Sequence, residues 1–458
     1  MKTRNTEKIE LLRGEQSPST GQQSGQPSQD ADPKLPDYRR LGLPIVVFII
    51  IGKVVGGGLV WFPKALSESG WIGFVAMVIM FATSLLTGLL LSKSWMTLMD
   101  WYPAKYRDVA NRHPYPSIAY EAYGDAGRRI TSVVIGMYSF GFTVALDLLA
   151  ADNARLFFRS VGVDVPLCGW VIVVVILSTP LMWFGTPKDM VAVGIALAST
   201  TILGAIAVVL GTVLDHDVYQ ESEEISPSFA SVAGGLGLIM SAFGGQYVVP
   251  TLQHDMKHPE DMHKAVTLGY FGIATVYLLI GVPAYVVYGN IYQELGVDNV
   301  IALITTHGLQ VTVIFLLSAH LLAGPVFLSN PLFQDLEEAL GIPYVVTWRR
   351  IALRSSYSLV VLLVATTVPS FPDFLSIVGG ALAAVVNGIL PTVLFIKLHR
   401  QQPPEGAKPV QLLRWYHVLV LCGVILMSVV AAGLSSGAGV YNMVNFHNVT
   451  LPCYMHFV

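Results

Sequence analysis

The chain has 458 residues, of which 53% are hydrophobic and only 12% are charged. Soluble domains carry about 25% charged residues, so this composition, with a mean hydropathy of +0.60, excludes an ordinary soluble domain. The net charge of −3 provides no basic surface for nucleic acid. An all-α membrane protein is therefore expected.

About eleven apolar segments follow a polar N-terminal stretch, and each approaches the roughly 20 residues that a helix needs to cross a bilayer. Residues 1–40 are rich in Ser, Gln, Gly and charge, and we expect them to form a disordered cytoplasmic tail. A transmembrane domain is predicted over 41–437 and a short non-cytoplasmic tail over 438–458. The predicted membrane helices lie at 43–65, 71–92, 130–157, 166–185, 189–213, 229–250, 265–288, 309–334, 351–369, 373–397 and 416–436.

The Lys and Arg residues are sorted between the two faces of the predicted bundle. With a cytoplasmic N-terminus, 23 of the 27 Lys and Arg lie in the tail or in cytoplasmic loops, as the positive-inside rule requires. An odd number of helices then places the C-terminus on the other face. There Asn448 begins an Asn-Val-Thr triplet, which makes it a candidate glycosylation site.

Glycines interrupt two predicted helices at corresponding positions. Gly56, Gly57 and Gly58 lie within helix 1, and Gly244 and Gly245 lie within helix 6. Glycine weakens a helix. Non-helical backbone within the hydrocarbon region of the membrane is tolerated only where it is buried in protein or lines a cavity. Paired interruptions of this kind indicate a transporter binding site. The alternative is that the glycines only let helices pack closely.

Interrupted helices have a chemistry that suits a particular ligand. Amides at the N-terminus of a half-helix suit a carboxylate, and carbonyls at the C-terminus of a half-helix suit an ammonium group or a coupling cation. A zwitterionic α-amino acid matches both ends.

Five stretches between about residues 40 and 437 carry a family resemblance. They read GGGLVWFPKALSESGW (56–71), LDLLAADN (146–153), AFGGQYVVPTLQHDMKHPEDM (242–262), VYGN (287–290) and SNPLFQDLE (329–337). In this order they resemble the amino acid/auxin permease family of the amino acid, polyamine and organocation superfamily. The resemblance implies the fold of the bacterial leucine transporter, with a five-plus-five inverted repeat, broken helices 1 and 6, and alternating access.

The resemblance also implies a set of substrate contacts, with Phe243 as an aromatic gate. Contacts from helices 3, 8 and 10 and the identity of the amino acid do not follow from the sequence. The implied contacts are Gly56, Gly57, Gly58, Ser241, Ala242, Phe243 and Gly244.

Three ionisable residues within the predicted helices are candidates for ion coupling. Lys53, Asp147 and His320 lie in helices 1, 3 and 8. Charged groups in the membrane are costly and usually functional, and histidine titrates near neutral pH. The alternatives are a Lys53 that snorkels or lines a wet vestibule, an Asp147 that is solvated at the interface, and a His320 that bonds a carbonyl.

The stretch before Pro325, together with Lys53 and His320, favours protons over sodium as the coupling ion. Sodium-coupled members of this fold present a hydroxyl from helix 8, whereas 321–324 reads Leu-Leu-Ala-Gly. The chain is therefore expected to be a secondary active amino acid transporter coupled to protons. Sodium coupling is one alternative, and an amino acid sensor with little transport is another.

Other motifs give weaker signals. His254 and His258 have a spacing that can bind zinc, but Pro259 follows at once, and the chain has no nucleotide-binding loop or hydrolase motif. We expect no metal, no cofactor and no enzymatic activity. A disulfide between Cys168 and Cys453 is conceivable, although the spacing of the cysteines does not specify it.

The N-terminal stretch contains an acidic dileucine pattern, formed by Glu7, Leu11 and Leu12. This pattern resembles signals that vesicle-coat adaptors bind. A plasma membrane location and an endolysosomal or vesicular location are both compatible with it.

Overall fold

The computed structural model describes residues 41–107, 109–184, 190–219, 227–343, 345–368, 370–409, 413–445 and 452–455. The predicted tail 1–40, with Glu7, Leu11 and Leu12, lies outside these ranges, as does Asn448. Their predicted roles therefore stay predictions.

Eleven helical elements follow the predicted order and confirm the all-α membrane fold. In the described ranges, ten are long and apolar enough to cross a membrane, and Leu167–Trp183 is a shorter apolar helix. The elements are α1 (Leu43–Ser69), α2 (Trp71–Trp101), α3 (Pro114–Ser160), α4 (Leu167–Phe184), α5 (Met190–Leu214), α6a (Phe229–Ala242) with α6b (Val249–His254), α7 (Met262–Tyr288), α8 (His307–Ala339), α9 (Trp348–Thr367), α10 (Phe371–Val378, the π-helical Gly379–Ile389 and Leu390–His399) and α11 (Trp415–Asn445).

The sixth helix is interrupted where the sequence predicts it. Helix α6a ends at Ala242, and a short 3₁₀ turn, Gln246–Val248, leads into α6b. Between them, Gly245 has a φ of 130°, a backbone conformation that side chains other than glycine rarely adopt. The prediction of a broken helix 6 is confirmed.

The first helix is continuous from Leu43 to Ser69, which corrects the predicted break at Gly56, Gly57 and Gly58. Side chains from other helices occupy the space that a Cβ would need, with the His320 ring against Gly56 and the Tyr277 hydroxyl against Gly58. Close packing, the alternative to a break, accounts for these glycines because their neighbours offset the low helix propensity of glycine.

Several helices extend beyond their predicted bounds, among them α2, which ends at Trp101 rather than at residue 92. Helix α3 begins at Pro114 rather than near residue 130, and it bends at Gly124, where φ is 67°. Its first part contains the charged residues Glu121, Asp125, Arg128 and Arg129, so an apolar-run criterion misses it. Helix α11 continues to Asn445, past residue 437.

The central helices position the interior of the bundle. Helix α1 packs against α5, α6a and α7, while α8 packs against α3 and α5. Helix α11 packs on α6a and α10 at the periphery. Cys168, at the start of α4, forms a disulfide with Cys453, so the pairing that the sequence left open is present.

Candidate functional site

A central cavity of about 70 Å³ lies beside the interruption of the sixth helix. Four helices supply nearly all of its wall, and α5 adds one residue. The lining residues are Lys53, Val54, Gly57 and Trp61 of α1, Tyr138, Phe142 and Leu146 of α3, Leu197 of α5, Ser241, Gly244, Gly245 and Tyr247 of the sixth helix, and His320, Gly324, Phe327 and Leu328 of α8.

The structure places three of the seven implied substrate contacts at this cavity: Gly57, Ser241 and Gly244. Gly56, Gly58, Ala242 and Phe243 are not among its lining residues. Phe243 is fully buried, with its ring 6.4 Å from Phe62 and 5.2 Å from Tyr277. Contact of these residues with a substrate stays a prediction.

The third and eighth helices contribute lining residues that sequence reasoning does not place. Tyr138, Phe142 and Leu146 of α3 all line the cavity. They are spaced four residues apart, which puts them on one face of a helix. This spacing is a signal that could have identified them.

Lys53 lies at the cavity wall. Its Nζ donates a hydrogen bond of 2.9 Å to the Tyr247 hydroxyl. The same atom lies 4.2 Å from the centroid of the Tyr247 ring and 4.8 Å from that of Phe327. Both aromatic faces attract the ammonium group, so Lys53 is held between α6 and α8.

His320 is buried against α1 and α5. Its Nδ1 lies 3.0 Å from Thr201 Oγ1 and 3.3 Å from the carbonyl oxygen of Leu197. Because a carbonyl oxygen only accepts, the bond to Leu197 requires the hydrogen on Nδ1. This geometry corresponds to the carbonyl-bonded histidine, and Nε2 is the atom that would take a second proton.

Asp147 lies one residue beyond the cavity-lining Leu146 and is fully buried. Neither of its carboxyl oxygens has a hydrogen-bond partner among the described residues. One turn earlier on the same face, Thr143 Oγ1 lies 2.9 Å from Ser329 Oγ, which lies 2.9 Å from the Tyr357 hydroxyl. A buried carboxyl thus adjoins a chain of three hydroxyls.

The Tyr277 hydroxyl joins the two glycine-rich helices. It lies 3.1 Å from the carbonyl oxygen of Val54 on α1 and 2.9 Å from that of Ala242 at the end of α6a. The phenol has one hydrogen to donate, which these two carbonyls share, so the hydroxyl lies between the two acceptors.

A larger vestibule of about 640 Å³ lies on the side of the predicted cytoplasmic loops. It is lined by residues 110–116, which precede and begin α3, and by Asp255 after α6b. Burial raises the pKa of the Asp255 carboxyl to about 7. Lys53, Tyr247 and Phe327 line both this vestibule and the central cavity, and we call these three residues the inner partition.

The opposite end of the cavity is covered. Trp61 lies between the cavity and Phe371, with ring centroids 5.3 Å apart. Farther along α1, Lys64 forms ion pairs with Asp298 and with Glu68, the latter at 3.3 Å. The cavity therefore adjoins the vestibule on one side and packed side chains on the other.

These features define a polytopic helical membrane protein with a central cavity beside a broken helix. A family model described as "Transmembrane amino acid transporter protein" matches residues 39–436. The chain belongs to this family, and the predicted family assignment is confirmed.

Known proteins resemble the chain in sequence and in fold. "Amino acid transporter AVT1B" of Arabidopsis thaliana is 27% identical over 377 residues, which cover 77% of this chain and 64% of that relative. The structure of MhsT in complex with L-phenylalanine has a TM-score of 0.58 at 12% identity, covering 86% of this chain and 98% of MhsT. The inward facing conformation of Mhp1 has a TM-score of 0.55 at 13% identity, covering 88% and 91%. These likenesses confirm the leucine-transporter-like fold.

Proposed function

We propose that the chain is a secondary active transporter that carries amino acids by alternating access. The central cavity beside the interruption of the sixth helix is the observation that carries the proposal. Backbone groups at helix ends lack intrahelical partners and can bind both charged groups of a zwitterion. The covered outer end and the inner vestibule are what a carrier would have in one of its two conformations.

The inner partition must move for a substrate to bind. The central cavity of about 70 Å³ is smaller than the roughly 300–1,000 Å³ of most small-molecule sites. Displacement of Tyr247 or Phe327 would merge it with the vestibule, since both residues line the two spaces. We therefore interpret the structure as a conformation in which the central cavity is too small for a substrate.

We assign proton coupling to Asp147. An ionised carboxylate without a partner is costly inside the membrane, so a bound proton accounts for the burial of this side chain. The hydroxyls of Thr143, Ser329 and Tyr357 offer a polar route beside it. His320 is a second candidate for proton coupling through its Nε2 atom. The ammonium group of Lys53 takes the place of a sodium ion at helix 1.

Sodium coupling has less support. The Tyr277 hydroxyl already lies between the carbonyls of Val54 and Ala242. The segment 321–324 of α8 adds no hydroxyl. A sodium ion prefers several oxygen ligands, so the described residues of this region favour protons.

Flux measurements in proteoliposomes test transport and coupling together. A gradient of one pH unit carries about 1.4 kcal/mol per proton, enough for up to about tenfold accumulation of a substrate. We expect one or more of the twenty amino acids to accumulate with an inward proton gradient. Asp147→Asn should abolish this accumulation while exchange of substrate between the two sides continues, because exchange needs no net proton movement.

Three results would contradict parts of this proposal. Accumulation that requires a sodium gradient and ignores a pH gradient would overturn proton coupling. Accumulation by the Asp147→Asn variant equal to that of the wild type would show that Asp147 does not take part in proton coupling. Binding without flux would favour the sensor, whose signalling through the tail 1–40 is tested by deleting that tail.

The proposed orientation places the disulfide on the non-cytoplasmic face, where an oxidising compartment lets disulfides persist. In sealed vesicles with the cytoplasmic face outward, a protease should remove an N-terminal tag. In a Cys422→Ser background, an impermeant maleimide should label Cys168 and Cys453 only after reduction and lysis. Labelling of intact vesicles after reduction alone would reverse the orientation. Neither result selects between plasma membrane and endolysosomal membrane.

A further inference from the structure

The ammonium form of Lys53 has a positive charge that the protein itself does not balance. In the part of the chain that the structure describes, no carboxylate lies within ion-pair distance of its Nζ. None of the described residues that line the central cavity is acidic. The vestibule has two acidic residues, Asp255 and Asp335. Asp335 pairs with His113 Nδ1 at 3.0 Å, and Asp255 is in no described ion pair with Lys53.

The contacts that Lys53 does make leave part of its ammonium group available. An ammonium group has three N–H donors, and the Tyr247 hydroxyl is the acceptor that the described residues provide. The Tyr247 and Phe327 rings attract the charge without neutralising it. Two donors therefore remain for a ligand at the junction of the two cavities.

The net charge of the occupied site decides which ligand fits. A neutral amino acid brings one carboxylate and one ammonium group, so the site around Lys53 would stay cationic when it closes. An amino acid with a second carboxylate brings a net charge of −1 and neutralises the site. Burial of an uncompensated charge is costly, whereas a paired and hydrogen-bonded charge is tolerated.

We propose that Lys53 binds the side-chain carboxylate of an acidic amino acid, which makes aspartate and glutamate the favoured substrate class. This inference rests on the proposed function as an amino acid transporter. The ammonium of Lys53 exchanges the Tyr247 hydroxyl for the substrate carboxylate as the inner partition opens. Lys53 is thus a specificity-determining residue.

Uptake of matched acid and amide substrates tests this inference. The full-length protein in proteoliposomes is assayed with labelled L-glutamate, L-glutamine, L-aspartate and L-asparagine. We expect the wild type to prefer each acid over its amide by at least about tenfold in kcat/KM, since a charge-assisted hydrogen bond is lost with the amide. Lys53→Met should raise KM for the acids by a similar factor and change that for the amides little. Lys53→Arg should keep part of the preference.

Lys93→Met is the matched control, because Lys93 is exposed on α2 and should leave the acid preference unchanged. A wild type that transports amides as well as acids overturns the inference and leaves the proposed function standing. Absence of any amino acid flux instead overturns the proposed function. If Lys53→Met fails to fold, as judged by size-exclusion chromatography, the ratio of kcat/KM for acid and amide substrates in the wild type still tests the inference.

Discussion

Replacement of Glu337 by glutamine should destabilise the folded protein by about 3–5 kcal/mol, the cost of removing one partner from a buried ion pair. Glu337 Oε1 accepts hydrogen bonds from Arg350 Nε at 3.0 Å and Arg354 Nε at 2.8 Å. The side chains of Glu337 and Arg354 are 0% and 1% exposed. The variant would leave two buried guanidinium groups without a counter-charge, and thermal unfolding in detergent would show a large fall in Tm.

The neighbouring Glu338→Gln is the matched control. Its side chain is 53% exposed and pairs with His113 Nε2 at 3.2 Å, and exposed pairs contribute only about 0–1 kcal/mol. A fall in Tm for Glu337→Gln that is no larger than for Glu338→Gln would show that the buried ion pairs of Glu337 do not stabilise the fold. Arg354 also donates to the carbonyl of Met182 and lies over the Phe333 ring, so the expected damage includes the packing of α4, α8 and α9.

Sequence alone predicts the membrane elements well because their signal is local. Apolar runs depend on neighbouring residues, and they identify the positions of the ten helices long enough to cross a membrane and of the shorter apolar helix Leu167–Trp183. The pair Gly244 and Gly245 marks a true interruption because Gly245 takes a positive φ. Residues 114–129 of α3 escape prediction since charged residues, Glu121, Asp125, Arg128 and Arg129, interrupt the apolar run there.

The candidate site depends on residues that are distant along the chain. The three glycines of α1 predict a break, yet His320 and Tyr277 fill the space beside Gly56 and Gly58 and a continuous helix results. Similarly, the contact of Lys53 with Tyr247 joins positions 194 residues apart. Local propensity contains no information on such partners, and so the sequence locates Lys53 without explaining it.

A fourth glycine of α1 limits how helices α1 and α5 approach. A Cβ at Gly52 would overlap the Cα and Cβ atoms of Ala198. The obstacle is backbone, so a change of rotamer cannot relieve it and the two helices would have to separate. Gly52→Ala should therefore cost about 3 kcal/mol, the upper end for overpacking, even though alanine is the better helix former. Thermal unfolding measures this cost.

Gly423→Ala is the control, because this glycine is exposed on α11 and, among the described residues beyond its chain neighbours and its own helix backbone, no atom lies within 4 Å of the position that an added Cβ would take. Helix propensity alone should stabilise this variant by up to about 1 kcal/mol. Gly52 directly precedes Lys53, so separation of α1 from α5 would also displace the ammonium group from Tyr247. We expect Gly52→Ala to lose substrate uptake as well as stability. Equal Tm values for the two variants, with uptake intact, would show that α1 and α5 do not require this close approach.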